Sequence, residues 1–294
     1  MENKYAVIDI GSNSIRFAEE KNGAFPEREI YTTRLGSGLS KTGRLADETM
    51  ERSLLVMRRL AERARADGFV PAGYATSAVR DAENGRDFAL RVERECGFPV
   101  EILSGSEEAR LAFVGASGLR SFDTMLDIGG GSMQVVREDF AVSFRAGCVR
   151  CGDIARERTG AVSCDDRPED QREAVIGYLD EIVKLPDFDT GSLVGVGGTI
   201  TTLAALEAGL TVFDPKTAES VRLTSEKVGM LIKKLADMGE NRREHPLLKE
   251  RHDVILYGAY ILAYALDKLG ADGLSVSCRD GMEGYLFRLK NGKQ

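Results

Sequence analysis

The sequence predicts an α/β protein made of two similar domains that face each other across a cleft. A buried strand that ends in aspartate and a glycine turn occurs twice, as Val-Ile-Asp9-Ile-Gly-Ser-Asn-Ser and as Met-Leu-Asp127-Ile-Gly-Gly-Gly-Ser. Each copy opens a series of strands that then alternate with helices, which is typical of an α/β domain. Because an internal repeat of this size indicates two related domains, we expect residues 1–122 and 123–294 to form them, with a ligand cleft between.

The first half begins with strands and continues with helices. Residues 5–10 and 14–18 are apolar stretches around a tight turn, which predicts a hairpin. The segment 47–66 carries apolar residues at helical spacing, with Asp47 as the expected N-cap. The other elements expected here are strands at 29–34, 70–75 and 99–103, and helices at 84–96 and 106–118. The stretch 75–81, which contains Arg80, is expected to end a strand.

The second half repeats this opening. Strands are expected at 124–128, 133–137, 140–146, 192–196 and 273–277. Helices are expected at 150–159, 169–184, 199–208, 225–238, 251–269 and 280–290. The longest apolar run, Val254 to Leu266, is too short to span a bilayer and is typical of a buried helix.

Composition excludes several classes of protein. A chain of 294 residues with 43% hydrophobic content can bury a sizeable core, which argues against disorder. A net charge of −7 lacks the basic field of a nucleic-acid-binding protein, so we expect no nucleic-acid partner. Five cysteines and two histidines favour reduced thiols over a disulfide scaffold or a His-rich metal enzyme. We expect a cytoplasmic protein with no membrane partner, in which the Cys148–Cys151 and His252–Asp253 pairs are structural.

Three glycine loops are the candidate phosphate-binding sites. Glycine allows successive backbone N–H groups to approach an oxyanion without a clash from Cβ. Residue 199 is also expected to open a helix, whose N-terminus favours negative charge. The loops span residues 9–14, 127–132 and 195–199, and their short side-chain donors are Ser12, Asn13, Ser132 and Thr199.

Carboxylates and an arginine near these loops allow two interpretations each. Asp9 and Asp127 could share a Mg²⁺ ion with substrate phosphates, or each could cap its own turn. Glu108 could be a general base that polarises a water molecule. The spacing alone favours a simpler role, in which Ser104 and the Glu107–Glu108 pair cap a helix and complement its dipole. Arg80 could hold phosphate oxygens bidentately or be solvated.

Together these stretches resemble the exopolyphosphatase / guanosine pentaphosphate phosphohydrolase (Ppx/GppA) family, within the actin–Hsp70–sugar kinase superfamily. They follow the family's order and run through the whole chain, which makes the combination specific. The matching stretches are DIGSNSIRF (9–17), ATSAVRDAEN (75–84), EILSGSEEARLAF (101–113), DIGGGS (127–132), GVGGTITTLAAL (195–206), ERHDVILYGA (250–259) and SVSCRDGMEGYL (275–286).

The resemblance implies two actin-like (ribonuclease H-like) domains and a cleft that binds phosphate chains. It implies that Glu108 is the base that activates water, against the simpler capping role. The residues expected to bind phosphate are Ser12, Asn13, Arg16, Arg80, Gly129, Gly130, Gly131, Ser132, Gly197, Gly198 and Thr199. The expected ligands of a divalent cofactor, Mg²⁺ or another such ion, are Asp9, Asp127 and Gln134. The resemblance also makes a homodimer plausible.

Gln134 departs from the family pattern, which typically continues this loop as Gly-Gly-Gly-Ser-Thr-Glu. An amide keeps an oxygen acceptor but loses the charge, so weaker Mg²⁺ binding is expected. The first hypothesis is a phosphohydrolase that cleaves the terminal phosphoanhydride bond of inorganic polyphosphate, guanosine pentaphosphate or both. The second is a sensor that binds polyphosphate or guanosine tetra- or pentaphosphate with little hydrolysis. The third is an ATP-dependent kinase or ATPase of the same superfamily.

Overall fold

The computed structural model describes residues 3–118 and 121–292, which fold into two compact units. Unit 1 comprises the residues up to Gly115 together with those from Gly281 onward, and unit 2 runs from Ala116 to Asp280. None of the helices in the described residues is long and apolar enough to cross a membrane. The cysteines, all within the described ranges, form no disulfide.

Unit 1 is built on a five-stranded sheet of order β3-β2-β1-β4-β5. The strands are β1 (Tyr5–Ile10), β2 (Ser14–Glu19), β3 (Glu29–Thr32), β4 (Val70–Ala75) and β5 (Val100–Ile102). The helices are α1 (Leu39–Thr42), α2 (Asp47–Ala66), α3 (Ser77–Asp81), α4 (Gly85–Cys96), α5 (Gly105–Ser117) and α12 (Gly281–Asn291). Strand β1 pairs antiparallel with β2 and parallel with β4. It is apolar along most of its length because both of its faces are buried, Ile8 in one hydrophobic cluster and Val7 in another.

The C-terminal helix α12 completes unit 1. Its residues Met282, Tyr285 and Leu286 are buried in the same cluster as Val7. A side chain at Gly284 would overlap the carbonyl of Leu111, so glycine permits α12 to lie directly against α5. The compact units therefore differ from the expected ranges 1–122 and 123–294, because the last helix packs with the first unit.

Unit 2 is built on a six-stranded sheet of order β10-β11-β9-β6-β7-β8. The strands are β6 (Thr124–Ile128), β7 (Met133–Val136), β8 (Ala141–Phe144), β9 (Leu193–Val196), β10 (Arg222–Thr224) and β11 (Gly273–Val276). The helices are α6 (Cys148–Thr159), α7 (Pro168–Ile182), α8 (Gly197–Glu207), α9 (Pro215–Ser220), α10 (Ser225–Met238) and α11 (Ile255–Lys268), with a 3-10 helix at Gly239–Arg243. Helix α11 is buried along most of its length within one continuous core.

The two sheets share one topology. In each, the first three strands form an antiparallel meander, and the next strand pairs in parallel with the first. Both sheets have the order third-second-first-fourth, followed by one more parallel strand, which is β5 in unit 1 and β11 in unit 2. Unit 2 adds β10 beyond β11 as an antiparallel edge strand. The predicted fold class, mixed α/β with two ribonuclease H-like, actin-like domains, is confirmed.

Several details of the sequence prediction are wrong. Residues 77–81 form helix α3 and do not continue the strand before them. Asp47 is the first residue of α2 and provides no cap, because Ala46 is the N-cap and Asp47 instead lies in the first turn, where it complements the helix dipole. Helix α8 begins at Gly197, so Thr199 is its third residue. Helix α11 begins at Ile255, four residues later than expected.

Candidate active site

The first hairpin holds an ion pair in unit 1. Asp9 on β1 lies directly opposite Arg16 on β2 in the strand register. The Arg16 Nε donates to Asp9 Oδ2 at 2.7 Å, and Arg16 Nη2 donates to the same oxygen. Asp9 is only 3% exposed. A guanidinium that makes two bonds to a buried carboxylate fixes both side chains at the end of the hairpin.

The turn between β1 and β2 is supported from behind by the segment 33–36. The carbonyl of Asn13 accepts hydrogen bonds from the N–H groups of Thr33 and Arg34, at 3.1 and 2.8 Å. The carbonyl of Ser12 accepts from Gly36 N–H at 2.8 Å. In a trans peptide the carbonyl and the following N–H point in opposite directions. The N–H of Asn13 therefore points away from the supporting segment.

Helix α3 and helix α5 supply a second cluster in unit 1. Arg80 Nη1 donates to Glu108 Oε2 at 2.7 Å and to the carbonyl of Leu103 at 3.1 Å. Arg80 is thus a partner of Glu108 and not the solvated arginine that one interpretation of the sequence favoured. The hydroxyls of Ser12 and Ser77 lie 2.9 Å apart, which links the hairpin turn to the start of α3.

Glu107 confirms the expected capping pattern. Its carboxylate accepts from the N–H of Ser104 at 2.8 Å, and its own N–H donates to the Ser104 hydroxyl at 3.2 Å. The two neighbouring carboxylates therefore divide their roles, because Glu107 caps α5 while Glu108 pairs with Arg80. This separates the candidate base from the cap, a distinction that their spacing alone did not make.

The second hairpin, in unit 2, places Asp127 opposite Gln134. Gln134 is only 1% exposed, and its Nε2 donates to the Ser132 hydroxyl at 2.9 Å and to the Ser143 hydroxyl at 3.4 Å. The amide is thus fixed against the end of the glycine loop. Asp127 is half-buried, and its Oδ1 lies so close to Gly197 that a side chain there would overlap it.

The loop 129–132 turns its carbonyls towards the beginning of helix α6. Gly129 accepts from Cys148 N–H at 3.0 Å, and Gly130 accepts from Val149 N–H at 2.8 Å. Gly131 accepts from Arg150 Nε at 3.1 Å. Because each carbonyl shares a trans peptide with the next N–H, three successive N–H groups point to the opposite side. Such a row of N–H groups is an anion-binding concavity. Its members are Gly130, Gly131 and Ser132.

The third glycine loop borders the second. Gly197 has φ +86°, a conformation that favours glycine, and Gly198 lies where any side chain would overlap the guanidinium of Arg251. Arg251 thus joins the loop residues of unit 2. No role was predicted for Arg251 from the sequence, because the adjacent His252–Asp253 pair was interpreted as structural. The signal in the sequence was the pair of adjacent glycines, Gly197 and Gly198, since the absence of a Cβ leaves room for a large side chain such as Arg251.

Two cysteines are buried beside these loops, Cys148 and Cys151. Burial raises the pKa of the Cys148 thiol, although Arg251 and a hydrogen bond with Thr199 oppose that shift. Burial also raises the pKa of Cys151. Both thiols are therefore protonated at neutral pH, and no nucleophilic or metal-binding thiolate is expected there. This is consistent with the structural role assigned to the pair.

The donor set suits a metal ion that arrives with phosphates better than a resident one. Among the described residues, no three His, Cys, Asp or Glu side chains come together to hold a metal. Asp9 Oδ2 accepts a hydrogen bond from Arg16. Gln134 donates its NH₂ group to the hydroxyls of Ser132 and Ser143. Asp127 is a half-buried carboxylate near the end of β6, just before the loop 129–132. Mg²⁺ typically uses one or two carboxylates plus substrate phosphates and water, which this arrangement fits.

The structure therefore groups the predicted residues within each unit. In unit 1, it places Asp9, Ser12, Asn13 and Arg16 on one hairpin and pairs Arg80 with Glu108. In unit 2, it brings together Asp127, Gly129, Gly130, Gly131, Ser132, Gln134, Gly197, Gly198 and Thr199. The roles of these residues in catalysis or binding stay predictions.

Comparison with known proteins identifies the family. The chain matches the Ppx/GppA phosphatase family over residues 18–291. It belongs to that family. It is 31% identical over 328 residues to "Exopolyphosphatase 2" of Mycobacterium tuberculosis, which covers 97% of this chain and 98% of that protein. The resemblance inferred from the sequence motifs is thereby confirmed.

A second relative is longer than this chain. The chain is 29% identical over 315 residues to the "Bifunctional 3-dehydroquinate synthase/phosphatase" of Fusobacterium nucleatum, over 96% of this chain and 46% of that protein. It thus spans about half the length of that relative. A crystal structure of the Aquifex aeolicus Ppx-GppA enzyme is 29% identical, with a TM-score of 0.72 over 97% of this chain and 98% of the other.

Proposed function

We propose that this protein is a phosphohydrolase that removes the terminal phosphate of inorganic polyphosphate. The observation that carries the proposal is the row of three N–H groups at Gly130, Gly131 and Ser132, fixed by carbonyl contacts on its other side. Such a row recognises phosphoryl oxygens without a basic surface, so the acidic net charge of the chain is no obstacle. Family membership and the name of the Mycobacterium relative support the same substrate.

The proposed reaction is attack of water on the terminal phosphorus. Glu108 accepts a proton from the water molecule, whose oxygen forms the new bond to phosphorus. The bond from that phosphorus to the bridging oxygen breaks, and the electron pair leaves with the shortened chain. The products are orthophosphate and a polyphosphate one unit shorter. Arg80 holds Glu108 in place, and the N–H row and Arg16 stabilise the phosphoryl charge.

A divalent ion fits this proposal as part of the bound substrate. Asp127 would hold it together with phosphate oxygens, and the ion would neutralise charge on the phosphates. Guanosine pentaphosphate carries the same terminal group and is an alternative substrate. Orthophosphate release from tripolyphosphate, long polyphosphate and guanosine pentaphosphate, each with and without Mg²⁺, ranks these substrates directly. Homodimer formation and a cytoplasmic location stay predictions.

Two variants on one helical turn test the base. Glu108→Ala is expected to lower orthophosphate release by about a thousandfold, within the range for loss of a general base. Glu107→Ala is the matched control, because it removes a neighbouring carboxylate whose bonds to Ser104 cap α5. We expect it to keep near-normal release and to cost about 1 kcal/mol of stability. Unchanged release in Glu108→Ala would exclude Glu108 as the base.

A second candidate function is binding without efficient hydrolysis. The observation that favours it is the fixed amide of Gln134, which brings no negative charge to the loop beside Asp127. Gln134→Glu tests the choice, since a carboxylate there would add a ligand for Mg²⁺. A large gain in Mg²⁺-dependent release would favour a binding protein with a weakened site. Equal release in the two proteins would favour an enzyme adapted to glutamine.

A further inference from the structure

We propose that Arg150 is a positioning residue, which holds the loop 129–132 in its phosphate-binding conformation. The proposal rests on the phosphate-binding role proposed above for that loop. Arg150 lies in the first turn of α6 and is only 7% exposed. Its Nε donates to the carbonyl of Gly131 at 3.1 Å, and its backbone N–H donates to the carbonyl of Gly130 at 3.2 Å.

The loop needs such support because it consists of three consecutive glycines. Glycine populates many backbone conformations, so the peptide that follows a glycine is restrained on that side by no Cβ. Rotation of the Gly131–Ser132 peptide would turn its carbonyl towards the ligand side and its N–H away. A carbonyl oxygen facing a phosphate repels it. An anchored carbonyl therefore determines whether the third N–H of the row is available to an anion.

The three carbonyls are not anchored in the same way. Those of Gly129 and Gly130 receive backbone N–H groups at the start of α6. These bonds form whenever the helix forms, whatever the side chains are. Among the hydrogen bonds of the described residues, the contact to Gly131 comes from a side chain, the Arg150 guanidinium. The last peptide of the row thus depends on the identity of one residue.

The positive charge of Arg150 also favours the binding of an anion at the loop. A guanidinium is protonated at all ordinary pH values, and a buried one is screened less by water than one at the surface. Arg150 lies behind the row of N–H groups, on the side of the carbonyls. Its positive charge therefore favours an anion on the other side while its Nε fixes the peptide. A lysine would keep the charge but would lack the Nε donor.

The test measures binding of tripolyphosphate in the presence of EDTA, by calorimetry and by amide proton shifts of the ¹⁵N-labelled full chain. In the natural protein, binding is expected to shift the amide protons of Gly131 and Ser132. Arg150→Met is expected to raise the dissociation constant about tenfold or more and to reduce the Ser132 shift. Arg150→Lys keeps the charge but lacks the Nε donor, so it is expected to raise the dissociation constant by a smaller factor and to reduce the Ser132 shift as well. It provides the test if the methionine variant does not fold.

Arg156→Met is the matched control on the same helix. Arg156 bonds Asp153 and the hydroxyl of Tyr257 and does not contact the loop. We expect tripolyphosphate to bind this variant as tightly as the natural protein. Natural affinity in Arg150→Met or Arg150→Lys, with the same Ser132 shift, would overturn the inference. If the natural protein bound tripolyphosphate with no shift in the loop amides, the phosphate-binding role of the loop itself would be wrong.

Discussion

The two hairpins place an aspartate at the same position but give it different partners. In unit 1, Asp9 lies opposite Arg16 and forms an ion pair with it. In unit 2, Asp127 lies opposite Gln134, whose amide bonds two serine hydroxyls. The strand register is identical, so the backbone does not decide the difference. The comparison shows that one fold can place an arginine opposite the aspartate in one copy and a neutral amide opposite it in the other.

The turns of the two hairpins are also supported in corresponding ways. After the third strand of each meander, the chain returns and donates N–H groups to the turn carbonyls. Gly36 makes this close approach in unit 1, and Gly147 makes it in unit 2. A side chain at Gly147 would overlap the backbone of Gly130 and Gly131, whereas at Gly36 the nearest atom would be Ser12 Cβ at 2.9 Å. The approach is therefore tighter in unit 2.

The comparison of the two turns predicts its largest difference for alanine substitutions at Gly147 and Gly36. Gly147 has φ −88°, which alanine tolerates, so Gly147→Ala acts through steric overlap with backbone alone. Because the backbone cannot give way, we expect it to displace the loop, lower orthophosphate release about a hundredfold and destabilise the fold by about 3 kcal/mol. Gly36→Ala would bring its Cβ to 2.9 Å from Ser12 Cβ, a smaller overlap, and is expected to cost less, about 1.5 kcal/mol. Urea unfolding and phosphate release measure both, and equal effects would contradict the comparison.

A smaller loss of stability is expected when Arg16 is replaced so that unit 1, like unit 2, has a glutamine opposite its aspartate. Arg16→Gln leaves the buried Asp9 without its guanidinium, so we expect the free energy of unfolding to fall by about 2 kcal/mol. Phosphate release should fall as well, if Arg16 binds phosphate.

Arg28→Gln provides the control for that variant. Arg28 pairs with the buried Glu283, also in unit 1, and its side chain is as exposed as that of Arg16. We expect a similar loss of stability with little change in phosphate release per folded molecule. A parallel loss of release in both variants would show that Arg16 acts only through stability.

The smallest expected effect concerns the stability of the two units. The core of unit 1 is divided into two clusters, and one of them depends on α12, whereas unit 2 has one continuous core. We therefore expect unit 1 to open first in urea, with a midpoint lower by about 0.5 M. The urea concentration at which each unit opens can be measured by alkylation of a buried cysteine, Cys96 in unit 1 and Cys151 in unit 2.

The raised pKa of both thiols limits alkylation to the opened state. Burial raises the pKa of Cys96 to about 11 and also raises the pKa of Cys151. A raised pKa keeps the folded thiol protonated at pH 8, and opening returns it to its ordinary pKa, so alkylation follows opening. Labelling of both cysteines at the same urea concentration would contradict a difference between the units.

Much of the fold was predictable because its signals are local. The repeated Asp-Ile-Gly turn and the apolar strands before it led to two related sheets, which the structure confirms. Helix α10 was predicted with its observed ends, and the structure shows that the Thr224 side chain caps its first turn. Helix α3 was missed because it has only five residues, too few for a periodic pattern to stand out.

The candidate site was harder to predict, because its supports are distant in sequence. The pairing of Arg80 with Glu108 and the contact of Arg150 with Gly131 join residues that no short motif contains. The packing of α12 against β1 joins the two ends of the chain. Spacing identified which residues could bind phosphate. It did not show which residues hold them in place.

The return of α12 to unit 1 has a consequence for synthesis on the ribosome. Unit 2 is one uninterrupted stretch of chain, whereas unit 1 is completed by α12, which is made after the whole of unit 2. Domains generally fold as they emerge, so unit 2 can acquire its full core before the cluster around Val7, Tyr74 and Tyr285 has all its members. The half of the molecule that is translated first is thus completed only after the other half, and the cluster around Val7 lacks its α12 members while unit 2 is being made.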